Sequence, residues 1–261
     1  RVTIDSPADL VPFSSMESVS HTATKDVFLA GRYFNIIDDP ILYTNDDSIS
    51  FSLEDIEVSL AVYSPTGAHK AADFKDTLEK MMRAQKRFLG DANTTKSYDI
   101  LLLLMSMEEL QHYGGVQGAL EHHTSTTVVF YEGLDTASLK EYLTDVVSHE
   151  FFHTLTPLNV HSEQVHYFNY NEGVMSEHLW MYEGTTEYFA NLFQASAANQ
   201  LMLERRIDPC MSEVFPWHKI PHAHTKMMDN LHKPGNMAVL VGAPKTGLRT
   251  VEDARDASIR V

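Results

Sequence analysis

The chain has 261 residues, 43% apolar and 21% charged, long enough to bury a substantial core and too apolar for a disordered chain. Asp and Glu outnumber Lys and Arg by 36 to 20, and the net charge of −16 argues against a broad basic face for nucleic acid. The longest apolar run, residues 100–105, is far too short to span a bilayer, and one cysteine, Cys210, forms no internal disulfide and leaves the redox compartment open.

Taken in order, residues 1–52 are rich in Ser, Asp and Pro, with close-set turn signals such as Asp38–Asp39–Pro40, and read as short strands and loops. Ile56 to Tyr63 alternates and carries β-branched residues, which predicts a strand. Ala71 to Leu89 repeats Phe74, Leu78, Met81, Met82 and Phe88 at helical spacing, and Gly90 closes it. Tyr98 to Met105 is a near-continuous apolar run and reads as a buried strand. Strand, helix and strand at this spacing predict a crossover joining parallel strands. Thr124 to Tyr131 is a further strand, Ser138 to Leu155 a helix with Ser138 as its N-cap, and Leu179 to Phe193 another helix. The charge then changes: residues 1–200 carry eleven Lys/Arg against 29 Asp/Glu, residues 201–261 nine against seven. A shift of that size marks a different kind of segment.

The helix from Ser138 contains His149–Glu150–Phe151–Phe152–His153. Imidazoles four apart on a helix lie one turn above the other on one face, where both can bind one Zn²⁺. Glu150, beside the first, can take a proton from a water on that metal. A catalytic site needs a third donor. Glu183 supplies one from the next helix, and Glu187, one turn on, can hold the non-metal nitrogen of His149 or His153 or be a solvated helix charge. From Glu141 to Glu187 there are eight acidic residues and no Lys or Arg, a charge that favours a cationic substrate group.

The pair of segments HEFFH and LWMYEGTTEYF resembles the zinc region of the glycyl aminopeptidase family. Those proteins are gluzincins with a thermolysin-like catalytic domain. Gly118–Ala119–Leu120–Glu121–His122 resembles the family's Gly-Gly-Leu-Glu-His element, which corresponds in place to the Gly-Ala-Met-Glu-Asn strand of aminopeptidase N. The resemblance is strong over residues 114–193 and weak before 50. It implies an α+β fold: residues 1–52 the end of a β-rich N-terminal domain, residues 53–200 a thermolysin-like zinc domain, residues 201–261 unassigned. It implies Zn²⁺ on His149, His153 and Glu183, and Glu150 as general base. It also implies a peptide substrate with a free N-terminus, its backbone on the strand of Gly118 and Ala119 and its ammonium on Glu121. Preference for small residues and a bacterial periplasmic or secreted location follow only as family habit.

Glu121 also has a plain reading as a solvent-facing strand carboxylate. His122 can line the cleft, though surface or packing is expected for it and for His123; His161, His166 and His178 receive no role; Tyr167, Phe168 and Tyr170 can supply an aromatic subsite wall but are expected to pack. Beyond Phe193 the resemblance stops. Residues 194–261 hold no Tyr, and their His218, His222, His224 and His232 fall in a Pro-punctuated context that reads as loop. Two other functions therefore stay open: an endopeptidase on the same core, and a zinc-holding binding protein with impaired catalysis.

Overall fold

An alternating segment rich in β-branched residues and a near-continuous Leu-rich one lie at the centre of a five-stranded sheet, against which two long helices bury apolar side chains. The computed structural model describes residues 1–45, 47–203, 211–216, 219–229, 231 and 236–240. The chain divides into two compact units, Arg1–Ala195 and Ser196–Val261.

The first unit opens with β1 (Val2–Asp5), β2 (Val11–Phe13), β3 (Glu17–Thr22), β4 (Lys25–Leu29), a short helix α1 (Tyr33–Asp38) and β5 (Leu42–Thr44). These make two small antiparallel sheets, β1-β4-β3 and β2-β5. Asp26 is buried at the centre of the first, where His21 and the hydroxyl of Tyr43 bond its carboxylate.

The main sheet runs β6 (Ser48–Leu53), β7 (Ile56–Tyr63), β8 (Ser97–Met105), β10 (Ser125–Tyr131) and, at the edge, β9 (Gly118–Glu121). β7 and β8 are parallel, as the crossover spacing predicts; β10 pairs parallel with β8, while β6 and β9 pair antiparallel. The sheet thus takes in residues 48–52, which the sequence reading places in the N-terminal segment 1–52.

α2 (Ala71–Leu89) is the predicted helix. It ends where Gly90 adopts φ +53°, a conformation that costs glycine little. Phe74, Leu78 and Met82 are fully buried against the sheet, while Phe88 lies at the boundary with solvent. A short α3 (Met107–His112), capped by Ser106, follows β8. α4 spans Thr136–Phe152. Its cap is Asp135 rather than Ser138, because the Asp135 carboxylate accepts the Ser138 N–H at 2.9 Å and satisfies one of the helix's free donors. The helix also ends earlier than expected, with His153 as its C-cap. Leu139, Leu143, Val147 and Phe151, four apart, are fully buried and fix α4 on the sheet.

The Asp135 cap has a measurable consequence. Its bonds from the Ser138 N–H and hydroxyl hold its pKa below the ordinary aspartate value of 3.8. A carboxylate with a depressed folded pKa stabilises above its unfolded pKa and stops doing so as pH falls through the folded one. Asp135→Ala is therefore expected to lower the melting temperature at neutral pH by roughly 2–4 °C. The difference from wild type should vanish in melts well below pH 3.8.

After the four-residue α5 (Glu163–His166), α6 runs Leu179–Leu203. Phe152 of α4 stacks on Phe189 at 5.9 Å and contacts Phe193 at 5.7 Å, and Phe88 of α2 meets both Phe152 and Phe189. This aromatic cluster sets the spacing between the two helices that carry the candidate ligands.

The second unit contains β11 (Met211–Pro216), α7 (Ile220–Met228) and β12 (Asn236–Leu240), with the strands parallel. Lys226 of α7 pairs with Glu213 of β11. His222 and His224, expected in a loop, are exposed on α7. Pro221 does not prevent this helix, since a proline in the first turn lacks only an N–H that has no helical partner. Cys210, His218 and His232 lie outside the described residues.

Candidate metal centre

α4 presents His149 and His153 toward α6, which returns Glu183. The Nε2 atoms of the two histidines are 3.1 Å apart. Glu183 Oε2 lies 3.2 Å from His149 Nε2 and 3.7 Å from His153 Nε2. Donors about 2.0–2.1 Å from one tetrahedral ion are separated by roughly 3.3 Å, so these three atoms have the spacing that a shared Zn²⁺ requires. Two imidazole nitrogens with one carboxylate oxygen also suit zinc chemically.

The other imidazole nitrogens are committed elsewhere. His153 Nδ1 donates to the Thr156 carbonyl at 2.9 Å, with Thr186 Oγ1 at 3.2 Å. A carbonyl only accepts, so the proton sits on Nδ1 and the Nε2 lone pair faces the cluster. His149 Nδ1 is 3.2 Å from Glu187 Oε2, and Asn191 Nδ2 donates to Glu187 Oε1 at 2.8 Å. The buried Tyr182 hydroxyl accepts the Ser162 N–H at 2.7 Å and ties the intervening loop to α6.

Glu150 is 7% exposed, and its Oε2 has no hydrogen-bond partner among the described residues. Burial first, then the negative charges of Glu121 and Glu183, push its pKa up to about 8. An orphaned buried carboxylate oxygen beside converging ligand atoms is what a site built for a cation and a polar ligand presents. Glu121, at the end of β9, brings its carboxylate into the same space: oxygen or nitrogen atoms of Glu121, Glu150 and His153 lie within 4.8 Å of one another. Gly118 and Ala119 precede it on β9, which among the described residues pairs with β10 on one side only and so offers its other edge to an added strand.

The remaining candidates are placed as follows. His122 is buried with Nε2 3.3 Å from Thr127 Oγ1, and His123 bonds Asp38. His161 and His166 stack on each other at 5.5 Å. Tyr167, Phe168 and Tyr170, expected to pack, are exposed. Four participants escaped the sequence reading. Thr186 and Asn191 sit three and four residues beyond Glu183 and Glu187, a helical spacing that points to them. Thr156 acts through its backbone, which no residue type signals. Tyr98 is fully buried, and its pKa is raised by burial and then by the charges of Glu150 and Glu121.

Residues 142–208 match the family model described as M61 glycyl aminopeptidase, a span that includes His149, Glu150, His153, Glu183 and Glu187. Among solved structures the chain is similar to an aminopeptidase N family protein from Idiomarina loihiensis, 22% identical with a TM-score of 0.53, over 70% of this chain and 31% of that one. That likeness is one of fold. Among curated proteins it is similar to the crotonyl-CoA carboxylase/reductase of Cereibacter sphaeroides, 67% identical over 82 residues, or 31% of this chain and 19% of that protein. The chain thus spans about a fifth of that relative's length and about a third of the aminopeptidase's. The family match over residues 142–208 is what points to a peptidase.

Proposed function

We propose that the chain is a zinc-dependent peptidase that releases N-terminal residues, small ones by preference, from peptides. The observation that carries this is the convergence of His149 Nε2, His153 Nε2 and Glu183 Oε2 beside a buried Glu150 Oε2 that has no hydrogen-bond partner among the described residues. His149, His153 and Glu183 would hold the ion. When bound, Zn²⁺ supplies Lewis-acid polarisation of the scissile carbonyl and lowers the pKa of water.

The chain's own residues do the rest. Glu150 Oε2 accepts the proton of the attacking water and returns it to the leaving amine. Glu121 binds the substrate α-ammonium and so selects the first peptide bond. Strand β9, through Gly118 and Ala119, holds the substrate backbone as an added strand. Glu187 orients His149, and the Thr156 carbonyl orients His153.

The test uses purified chain with its zinc content measured. Release from glycyl and alanyl p-nitroanilides is compared with release from the same substrates N-acetylated, with and without chelator. Chelator-sensitive release from the free amines only, with KM raised at least about tenfold in Glu121→Gln, is the expected result. Equal cleavage of N-blocked peptides would replace the reading with an endopeptidase. Stoichiometric zinc without turnover would replace it with a zinc-holding binding protein.

A further inference from the structure

We infer that Asp38 is a positioning residue for Glu121, clamping the edge-strand hairpin that carries it; this rests on the reading of Glu121 as the ammonium anchor. Glu121 ends β9, a strand held on one side only among the described residues, where its register partner is Thr126 of β10. Such a strand has half the backbone bonds of an interior one, so its position depends on what fixes its ends. The turn after it, residues 122–124, is bonded 85 residues back in sequence. Asp38, the last residue of α1, accepts the His123 N–H at 3.2 Å and the His123 Nδ1–H at 2.9 Å, both on Oδ2. One carboxylate thereby holds both the backbone and the ring of a residue two places after Glu121.

The clamp is built, not incidental. Asp38 is only 9% exposed, and a buried carboxylate persists where it is paired and bonded. The His123 ring stands edge-on to Phe34 of the same helix at 5.1 Å, and Arg32 lies over Phe34 at 4.7 Å. The adjoining His122 donates its backbone N–H to the Ser125 carbonyl at 3.0 Å and closes the turn. The His123 pKa is raised, chiefly by its bond to Asp38, in keeping with a charge-assisted pair. Asp38 itself is not among the converging groups of the metal centre. Its effect on the site therefore passes through the hairpin. A misplacement of about 1 Å in a positioning group can cost on the order of 10²-fold, so a loosened hairpin should show at the ammonium and nowhere else.

The experiment measures binding rather than turnover. Alanine hydroxamate and its N-acetyl derivative are titrated calorimetrically into zinc-loaded wild type, Asp38→Ala, Asp38→Asn, Glu121→Gln and Asp38→Ala/Glu121→Gln. The readout is the ratio of the two affinities, which a general loss of structure does not move. Asp38→Ala is expected to lower the preference for the free amine about tenfold. It should add nothing in the Glu121→Gln background, and Asp38→Asn should fall between. An unchanged ratio in Asp38→Ala, with Glu121→Gln lowering it, overturns the inference and leaves the anchor standing. So does an additive effect in the double variant, or loss of zinc and of both affinities together. An unchanged ratio in Glu121→Gln overturns the anchor reading, and the inference with it.

Discussion

Glu150→Gln is expected to keep the zinc content of the wild type and to lose about 10²–10⁴-fold in peptide hydrolysis, the range general-base removal produces. The amide matches the carboxylate in shape, so Leu139, Leu143, Val147 and Phe151 still seat α4 and the imidazoles stay aligned. What disappears is a proton acceptor at Oε2. That atom has no hydrogen-bond partner among the described residues, which leaves it available to a water in the cleft. The raised pKa, about 8, has causes that act on the metal-free site: burial, then Glu121 and Glu183. A divalent cation beside the carboxylate opposes all three. Measuring zinc on the same preparation makes the prediction sharp. Glu150 lies within reach of His153 and Glu121, so a fall in zinc would make it a ligand instead of a base.

Much of this architecture is legible in the sequence where local pattern and tertiary packing agree. Ile56–Tyr63 and Ala71–Leu89 have the bounds their periodicity indicates, because one face of each is buried along its whole length. Disagreement begins where a side-chain bond competes with pattern. Ser138 looks like a cap, yet Asp135 three residues earlier has the stronger acceptor and starts the helix sooner. α7 is hard to see in sequence because Pro221 signals a break, yet in the first turn of a helix it is tolerated. Tyr167, Phe168 and Tyr170 are exposed because apolarity alone does not say which aromatic rings find a core. Tyr170 meets Tyr33 of α1 and Phe168 beside it, contacts that depend on the distant N-terminal segment.

The candidate site divides along the same line. His149, Glu150 and His153 are close in sequence and share a helix, so spacing alone relates them. Glu183 and Glu187 are one turn apart and follow from the same argument once a second helix is granted. Glu121 is different. Its approach to Glu150 depends on β9 turning back beside β10, and on α4 crossing that edge of the sheet. The Asp38 clamp is more remote still, joining residues that no local pattern relates. Legibility falls with sequence separation because loop geometry, not residue type, brings distant groups together.

Removing the ligands one at a time is expected to give a graded series in zinc affinity, read by competition with a chromophoric chelator. Glu187→Ala, which leaves all three donor atoms in place, should weaken binding by about 10–100-fold, the usual cost of losing a partner that orients a ligand. The lower end is expected, since the Glu187 side chain is 65% exposed and water can replace part of its bond to His149. His149→Ala, His153→Ala and Glu183→Ala each remove a donor and should weaken it by more than Glu187→Ala does. Among these, His153→Ala should also destabilise the metal-free protein. His153 is 1% exposed, and its loss leaves the Thr156 carbonyl without its ring donor and opens a cavity against Thr186. Glu183→Ala removes a half-exposed side chain and should leave the metal-free melting temperature nearly unchanged. In the wild type, excess zinc should raise the melting temperature, because an ion held by the folded site alone shifts the equilibrium toward it. That rise should be smallest in the three donor variants. An equal loss of affinity in Glu187→Ala and Glu183→Ala would overturn this division of roles and place both carboxylates on the metal.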